Sequence, residues 1–314
     1  METFDIQNLP KEALFSLLLQ VEPEEIKTVC FSRNKKVREI CKSKYFQEAY
    51  GKKYRKVDFS HRKDLTEKDF QSLVGAYSVN LSWTNVTDDM LKYLKGVHTI
   101  DLGYTEVASE GMKYLKGVHT IDLGYTKVTD EGMKYLKGVH TIDLTNTKVK
   151  DAGLKYLKGV HTIDLTGTKV TDEGMQYLSG VFDINLKYTK VTNAGMKYLK
   201  GVHTIGLQYT EMTDEGMKYL KGVHTIDLTN TKVTDAGMKY LKGVHTISLW
   251  ATKVTDEGMK YLSGVFDINL RDTRVTDEGM KYLKGVHSID LRSTQVTYEG
   301  VNYLRSTGTK NIYR

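Results

Sequence analysis

Apolar and polar positions along this chain recur every 21 residues. The register is marked by a glycine before Val-His-Thr or a close variant, at Gly96, Gly117, Gly138, Gly159, Gly180, Gly201, Gly222, Gly243, Gly264 and Gly285. A looser copy begins at Gly75, so residues 75–305 hold eleven units. A degenerate first copy occupies 51–74, with Val57-Asp58-Phe59 in the strand position and Leu65, Phe70 and Leu73 following. Residues 306–314 read as a C-terminal tail. A fixed period of this length marks a stacked architecture, in which each unit buries its apolar face against its neighbours.

The unit from Gly117 to Lys137 predicts the local elements. Ile121 and Leu123 flank Asp122 in strict alternation, which is a short strand with one buried and one open face. Val128, Met133 and Leu136 then change to helical spacing. Thr129 stands as an N-cap, with Asp130 and Glu131 in the first turn, where the helix dipole favours negative charge. Gly138 follows as the residue that ends the turn. Strand, turn, short helix and return, repeated in one register, predict an α/β solenoid with a curved parallel sheet inside and short helices outside.

The pattern L-x-x-L-x-L-x-x-T-x-L in this unit resembles a leucine-rich repeat. Val-Thr-Asp-Glu-Gly-Met-Lys-Tyr-Leu resembles the variant carried by many F-box proteins. Threonine stands where that family more often has Asn or Cys, at Thr84, Thr105, Thr126, Thr147, Thr168, Thr189, Thr210, Thr231, Thr252, Thr273 and Thr294. Its hydroxyl can bond the turning backbone, so a ladder of buried structural threonines is expected.

Residues 1–50 do not repeat and read as short helices. Leu14, Leu17, Leu18 and Val21 recur at helical spacing after Pro10; Ile26, Val29 and Cys30 suit a second helix, and Val37, Ile40 and Cys41 a third. Leu9-Pro10-x-Glu12, Val21-x-Pro23, Val29-Cys30 and Tyr45-Phe46 resemble an F-box, the module that docks on a Skp-type adaptor of a cullin–RING ubiquitin ligase. Truncated F-boxes beside repeats are of the kind seen in giant DNA viruses. The resemblance implies a small all-α F-box-like cap over 1–50, in which Leu9, Pro10, Leu14, Leu18, Ile26 and Val29 supply the adaptor surface. The middle helix is short for that module, and Phe46 replaces its tryptophan. The residues alone equally allow a bare helical cap over the first apolar edge of the solenoid.

Charge and candidate chemistry narrow the function classes. Formal net charge is +7, from 46 basic and 39 acidic residues, which is a basic lean rather than a polycation. The first residues carry no basic segment followed by an apolar core, and no apolar run approaches the roughly 20 residues of a membrane span. Two cysteines, Cys30 and Cys41, lack metal-ligand spacing and predict thiols in a reducing compartment, hence a cytoplasmic or nuclear, intracellular protein without membrane contact.

Histidines 98, 119, 140, 161, 203, 224, 245 and 287 share one column, but Phe182 and Phe266 occupy it too, so packing is expected there rather than a metal. Every His and Asp recurs each turn, whereas an active site needs one distinct constellation; no catalytic residue and no cofactor is expected. Asp101, Asp122, Asp143 and Asp164 form an open acidic column, readable as a solvated stripe or as a docking surface for a basic partner. Lys113, Lys134, Lys155, Lys197, Lys218, Lys239 and Lys281 form a ridge on the helix side. No base-stacking groove accompanies it, so nucleic acid is not the expected partner.

Two columns after the buried leucine vary freely between copies. They place Trp83, Tyr104, Tyr125, Tyr188, Tyr209, Trp250, Arg271, Asp272 and Arg292 at the concave face and its rim. Aromatics and arginine are the usual anchors of protein interfaces, so a protein target is expected there, centred on the C-terminal half. The resemblance implies a substrate receptor of a ubiquitin ligase. The alternative is a repeat scaffold or inhibitor that binds a host protein, with 1–50 serving only as a cap.

Overall fold

In a computed structural model, residues 9–23, 25–31 and 34–314 are described. Among them, thirteen three-residue strands make one open parallel sheet whose spatial order is the chain order. It runs from β1 (Lys56–Asp58) and β2 (Ser78–Asn80) through nine further strands at the 21-residue period to β12 (Ser288–Asp290) and β13 (Asn311–Tyr313). Like pairs with like: Ile100 faces Ile121, which faces Ile142. With a side-chain period of two, a one-residue slip would turn every buried isoleucine outward, so the register is strongly specified. The expected α/β solenoid is observed. Residues 306–314 are more than a tail, since Asn311–Tyr313 pairs with β12 and covers the sheet's last edge.

Each repeat supplies the same core set. Val118, Ile121, Leu123, Val128, Met133 and Leu136 are all buried, and one continuous apolar cluster extends from Leu65 to Leu304. The helical side is a single turn, such as Asp130–Met133, as a 21-residue unit requires. Gly138 follows with φ +87°, a left-handed turn residue.

Thr129 stands at the N-cap position as expected, but its side chain makes no capping bond and its N–H donates to Ser109 Oγ of the preceding repeat at 3.0 Å. Thr171 does accept from the Glu173 N–H, but Asp151 of the preceding repeat contributes more. Its Oδ1 accepts from Thr171 N at 2.8 Å and its Oδ2 from Thr171 Oγ1 at 2.7 Å. The same bridge joins Asp172 to Thr192, Asp214 to Thr234, Asp235 to Thr255 and Asp256 to Thr276. The first-turn aspartate therefore serves the next repeat's helix start rather than only its own. The glycine two residues after it is shaped by that contact: a Cβ on Gly237 would lie 2.6 Å from Asp214 Oδ1.

The threonine ladder is present in all eleven units. Thr168 Oγ1 donates to Leu165 O at 2.7 Å, and the others repeat the bond to the carbonyl three residues back. The bond closes within one repeat, not between repeats.

The N-terminal helices are α1 (Lys11–Leu18), α2 (Ile26–Cys30), α3 (Lys35–Lys42) and α4 (Lys44–Lys53). They bury their own small core of Leu14, Leu18, Val37, Ile40 and Phe46. Aromatic rings join this core to the solenoid, through Phe46, Tyr50, Tyr54 and Tyr77 at centroid separations of 4.6–5.5 Å. Tyr50 donates to Val21 O and Tyr54 to Leu19 O. One expectation is corrected here. Cys30 and Cys41 are not free thiols but a disulfide, with Cα atoms 5.8 Å apart. The packing of α2 against α3 brings them within bridging range, which spacing alone could not show.

Candidate functional site

Either side of each buried isoleucine, side chains point to the open face of the sheet. That face is hollow: a cavity of about 560 Å3 lies over strand residues Thr225, Asp227, Thr246, Ser248, Asp267 and Asn269, with Arg292 and Tyr313 at its end. Two columns of rings border the strands.

At the strand starts, Tyr77, the histidine column and the two phenylalanines stack continuously to His287, with centroids 4.4–4.8 Å apart. Adjacent parallel strands force this spacing. Imidazole Nδ1 lies within hydrogen-bond reach of the next threonine's Oγ1, at 3.1 Å for His98 and 3.2 Å for His140. Burial, then His119 and His161, hold the His140 imidazole below its ordinary value. Phe182 and Phe266 continue the stack without a polar atom, in keeping with a packing role. Among the described residues no group of three or more His, Cys, Asp or Glu is placed to hold a metal ion.

At the strand ends, the second variable column adopts a left-handed backbone in every repeat. Trp83, Tyr104, Tyr125, Tyr188 and Tyr209 have φ of 56–60°, and Asn146, Asn230, Ala251, Asp272 and Ser293 share that region with Gly167. The ladder imposes this conformation, since each of these residues except Ser293 still donates its N–H to a carbonyl of the next repeat, as Tyr104 N does to Gly124 O at 2.9 Å. Sequence reading found this column freely variable and gave it a partner-binding role, without seeing its backbone constraint. The recurrence of Asn, Gly and Asp in it was the overlooked signal, because these types tolerate the left-handed region best.

The acidic column also has a backbone task. Asp101 Oδ1 accepts from Gly103 N at 2.9 Å, Asp122 from Gly124 N at 2.8 Å and Asp143 from Thr145 N at 2.7 Å. Asn185 and Asn269 make the same turn, so the bond needs an acceptor oxygen but no charge, and Gly206 supplies no side chain for it at all. Four in-register carboxylates repel one another. Burial, and then Asp143, Asp101 and Asp164, push the Asp122 carboxyl up to about 6. Asp143 is raised as well.

The nine residues expected to bind a partner do not form one patch. Trp83, Tyr104 and Tyr125 stack on one another at 4.0 and 4.2 Å and are 42–46% exposed. Tyr188 and Tyr209 form a second stack at 4.5 Å, with Lys187 over both rings. Trp250 is half-buried beneath Arg271, 5.0 Å from its ring. Arg292 is tied to Asp290, at 2.5 Å for the closest pair, and Asp272 is exposed. Six of the helix-side lysines stand over their own tyrosines, as Lys155 does over Tyr156 at 4.9 Å, while Lys281 pairs with Glu278.

Of the residues expected to meet an adaptor, Leu14 and Leu18 are buried in the N-terminal core and offer no surface. Helical spacing marked them as apolar, but it is the packing of α3 and α4 onto α1 that turns them inward. Leu9, Ile26 and Val29 lie partly buried against that core, and Pro10 is exposed. Among the described residues no helix is long and apolar enough to cross a membrane.

The Leucine Rich repeat family profile matches residues 118–137 and 160–179. Comparison with curated proteins gives no match. Among solved structures, the chain is similar to an internalin from Listeria monocytogenes, with a TM-score of 0.65 and 14% identity over 88% of this chain and 92% of that one. A leucine-rich-repeat protein of Leptospira interrogans gives 0.57 and 18% over 78% and 74%. A chain of the Drosophila Toll–Spatzle complex gives 0.52 and 10% over 76% and 43%. The fold is a leucine-rich-repeat solenoid, and a fold by itself names no partner.

Proposed function

We propose that this solenoid works by binding another protein on its hollow sheet face and performs no chemistry of its own. The observation that carries the reading is the set of exposed rings at the strand ends, 36–53% exposed at Trp83, Tyr104, Tyr125, Tyr188 and Tyr209. Rings left in water beside a concave surface are the usual anchors of a protein interface. Photo-crosslinking residues placed in the full chain at Tyr104, Tyr209 and Lys155 test it in cells. Crosslinks to a protein from the sheet-face positions are expected. Crosslinks from Lys155 alone would move the interface to the helical side and refute the reading.

A second reading, an F-box-type substrate receptor, draws support from the N-terminal helices. They leave Leu17, Phe31 and Tyr45 exposed, beside a cleft of about 560 Å3 lined by Phe15, Ser16, Ile40 and Tyr45. Those side chains, with Pro10, would form the adaptor surface, while Leu14 and Leu18 hold the unit together. Purified Skp-type adaptor should be captured by the full chain and lost on joint Leu9→Ala and Pro10→Ala substitution. If the unsubstituted protein captures none, α1–α4 serve as a cap and the scaffold or inhibitor reading replaces it.

A further inference from the structure

Three pairings recur along the sheet face of the C-terminal half. Lys187 covers the rings of Tyr188 and Tyr209, at 5.2 and 6.0 Å. Arg271 covers Trp250. The outer carboxylate oxygens are occupied too: Asp164 Oδ2 accepts from Asn185 at 3.0 Å, Asp227 Oδ2 from Gln208 at 2.7 Å, and Asp290 from the Arg292 guanidinium. These repeats supply their own cation or amide for these rings and carboxylates, from the first variable column at Lys187, Gln208, Arg271 and Arg292 and from the acidic column at Asn185.

The N-terminal half has the same rings and carboxylates without a covering lysine, arginine or amide among the described residues; His61 stacks on the outer ring, Trp83, at 5.9 Å. That column reads Gly103 and Gly124 here, both buried, and a Cβ on Gly103 would already lie 3.2 Å from Asp101 Oδ1. Among the described residues no lysine or arginine stands over Trp83, Tyr104 or Tyr125. Asp101 and Asp122 accept only the backbone N–H two residues on. Rings and carboxylates meet at the glycines: a Cβ on Gly103, the chain neighbour of Tyr104, would lie 3.2 Å from Asp101 Oδ1 and 3.4 Å from Asp122 Oδ1.

The backbone makes the choice of residue costly. Asn146, Gly167, Asn230 and Asp272 suit the left-handed position they occupy, whereas an aromatic side chain there is strained by its Cβ against the following carbonyl oxygen. Stacking returns part of that cost, and exposure returns none. Strain of this kind, held at a surface, points to use.

We propose that the patch formed by Trp83, Tyr104, Tyr125, Asp101 and Asp122 is the docking site for an arginine- or lysine-rich extended segment of the partner protein. The proposal rests on the sheet face being the binding face, and it moves the centre of binding from the C-terminal half to the N-terminal half. A guanidinium would lie over the rings as Arg271 lies over Trp250, and would meet the carboxylate oxygens that Gly103 and Gly124 leave open. Cation–π contact and carboxylate pairing then act on one group, which explains why rings and acids share the patch. Partner charge would also offset the burial, and then the repulsion by Asp143, Asp101 and Asp164, that raise the Asp122 carboxyl.

The test uses the full chain with Trp250→Phe, so that Trp83 is the only fluorescent indole. The probe is a short peptide of alternating arginine and serine, with an alternating glutamate and serine peptide as control. Quenching of Trp83 by the arginine peptide alone is expected, weakening as salt rises. Tyr104→Asn and Asp122→Asn should each weaken binding about tenfold or more, and more than Tyr209→Asn does, while Lys155→Ala on the helical side changes it less than about twofold. Asparagine is the residue this chain already places at both backbone positions, so urea midpoints should not fall. Absence of arginine-peptide binding, or equal weakening by Tyr209→Asn, overturns the proposal. Partner crosslinks from Tyr209 without any from Tyr104 overturn it as well, yet leave the sheet face as the binding face; crosslinks from Lys155 alone overturn both.

Discussion

Gly237→Ala opposes two effects whose signs differ. In a helical turn, alanine is favoured over glycine by about 0.5–1 kcal/mol, so a free site would be stabilised. Here the new Cβ would stand 2.6 Å from Asp214 Oδ1, and 3.1 Å from both Met217 Cγ and Val233 Cγ1. Asp214 cannot yield freely, because its Oδ1 accepts from Thr234 N at 2.8 Å and its Oδ2 from Thr234 Oγ1 at 2.7 Å. Retreat breaks or stretches both bonds, and bonds to a charged acceptor are worth about 1.5–3 kcal/mol each. A net loss of about 2–4 kcal/mol is therefore expected. The assay is a double-mutant cycle on urea unfolding with Asp214→Ala. That single change should itself cost about 1–2 kcal/mol as a lost cap. Once Asp214 is gone, only the two side-chain contacts at 3.1 Å resist, so Gly237→Ala should cost at least about 1 kcal/mol less than it does alone. Additive effects would refute the bridge between repeats as the reason for the glycine.

Two further outcomes are expected. Thr168→Ala removes the donor to Leu165 O in a buried turn and should cost about 1–3 kcal/mol in urea unfolding, whereas Thr294→Ala, only half-buried, should cost less; equal, negligible shifts would deny the ladder any part in stability. For pH dependence, Asp122 is raised in the fold, so its contribution is fully present below about pH 4 and is lost as pH rises through about 6. After allowance for solvent screening this amounts to about 1–2 kcal/mol, which Asp122→Asn should remove while keeping the Oδ1 acceptor. His140 is lowered, so its contribution is present above the ordinary imidazole value and lost as pH falls through its folded value; His140→Phe should flatten that acid limb. Urea midpoints measured across this pH range check both, and pH profiles unchanged by either variant would refute them.

Much of the architecture was legible because it is periodic. An unbroken 21-residue spacing states which positions stack, and the alternation of Ile121 and Leu123 about Asp122 states which face is buried. Together these dictate a parallel, in-register solenoid, and the threonine ladder follows because its bond closes within one turn. What a period does not carry is the chemistry between neighbouring copies. Asp214 looked like a helix-dipole residue of its own turn, and only the stacked backbones put Thr234 of the next repeat within its reach. Tyr104 and Asn146 looked like free variation, until the ladder required both to be left-handed. Variation between copies, and the aromatic and arginine residue types, drew attention to Trp250, Arg271 and Arg292. Tertiary packing pairs those groups with one another or with Asp290, and leaves Trp83, Tyr104 and Tyr125 without a lysine or arginine over them where Gly103 and Gly124 supply no side chain. The same limit hid Cys30 from Cys41 and β13 from β12. Contacts between elements depend on how the elements pack, and a column of letters fixes only which residues lie at equal height.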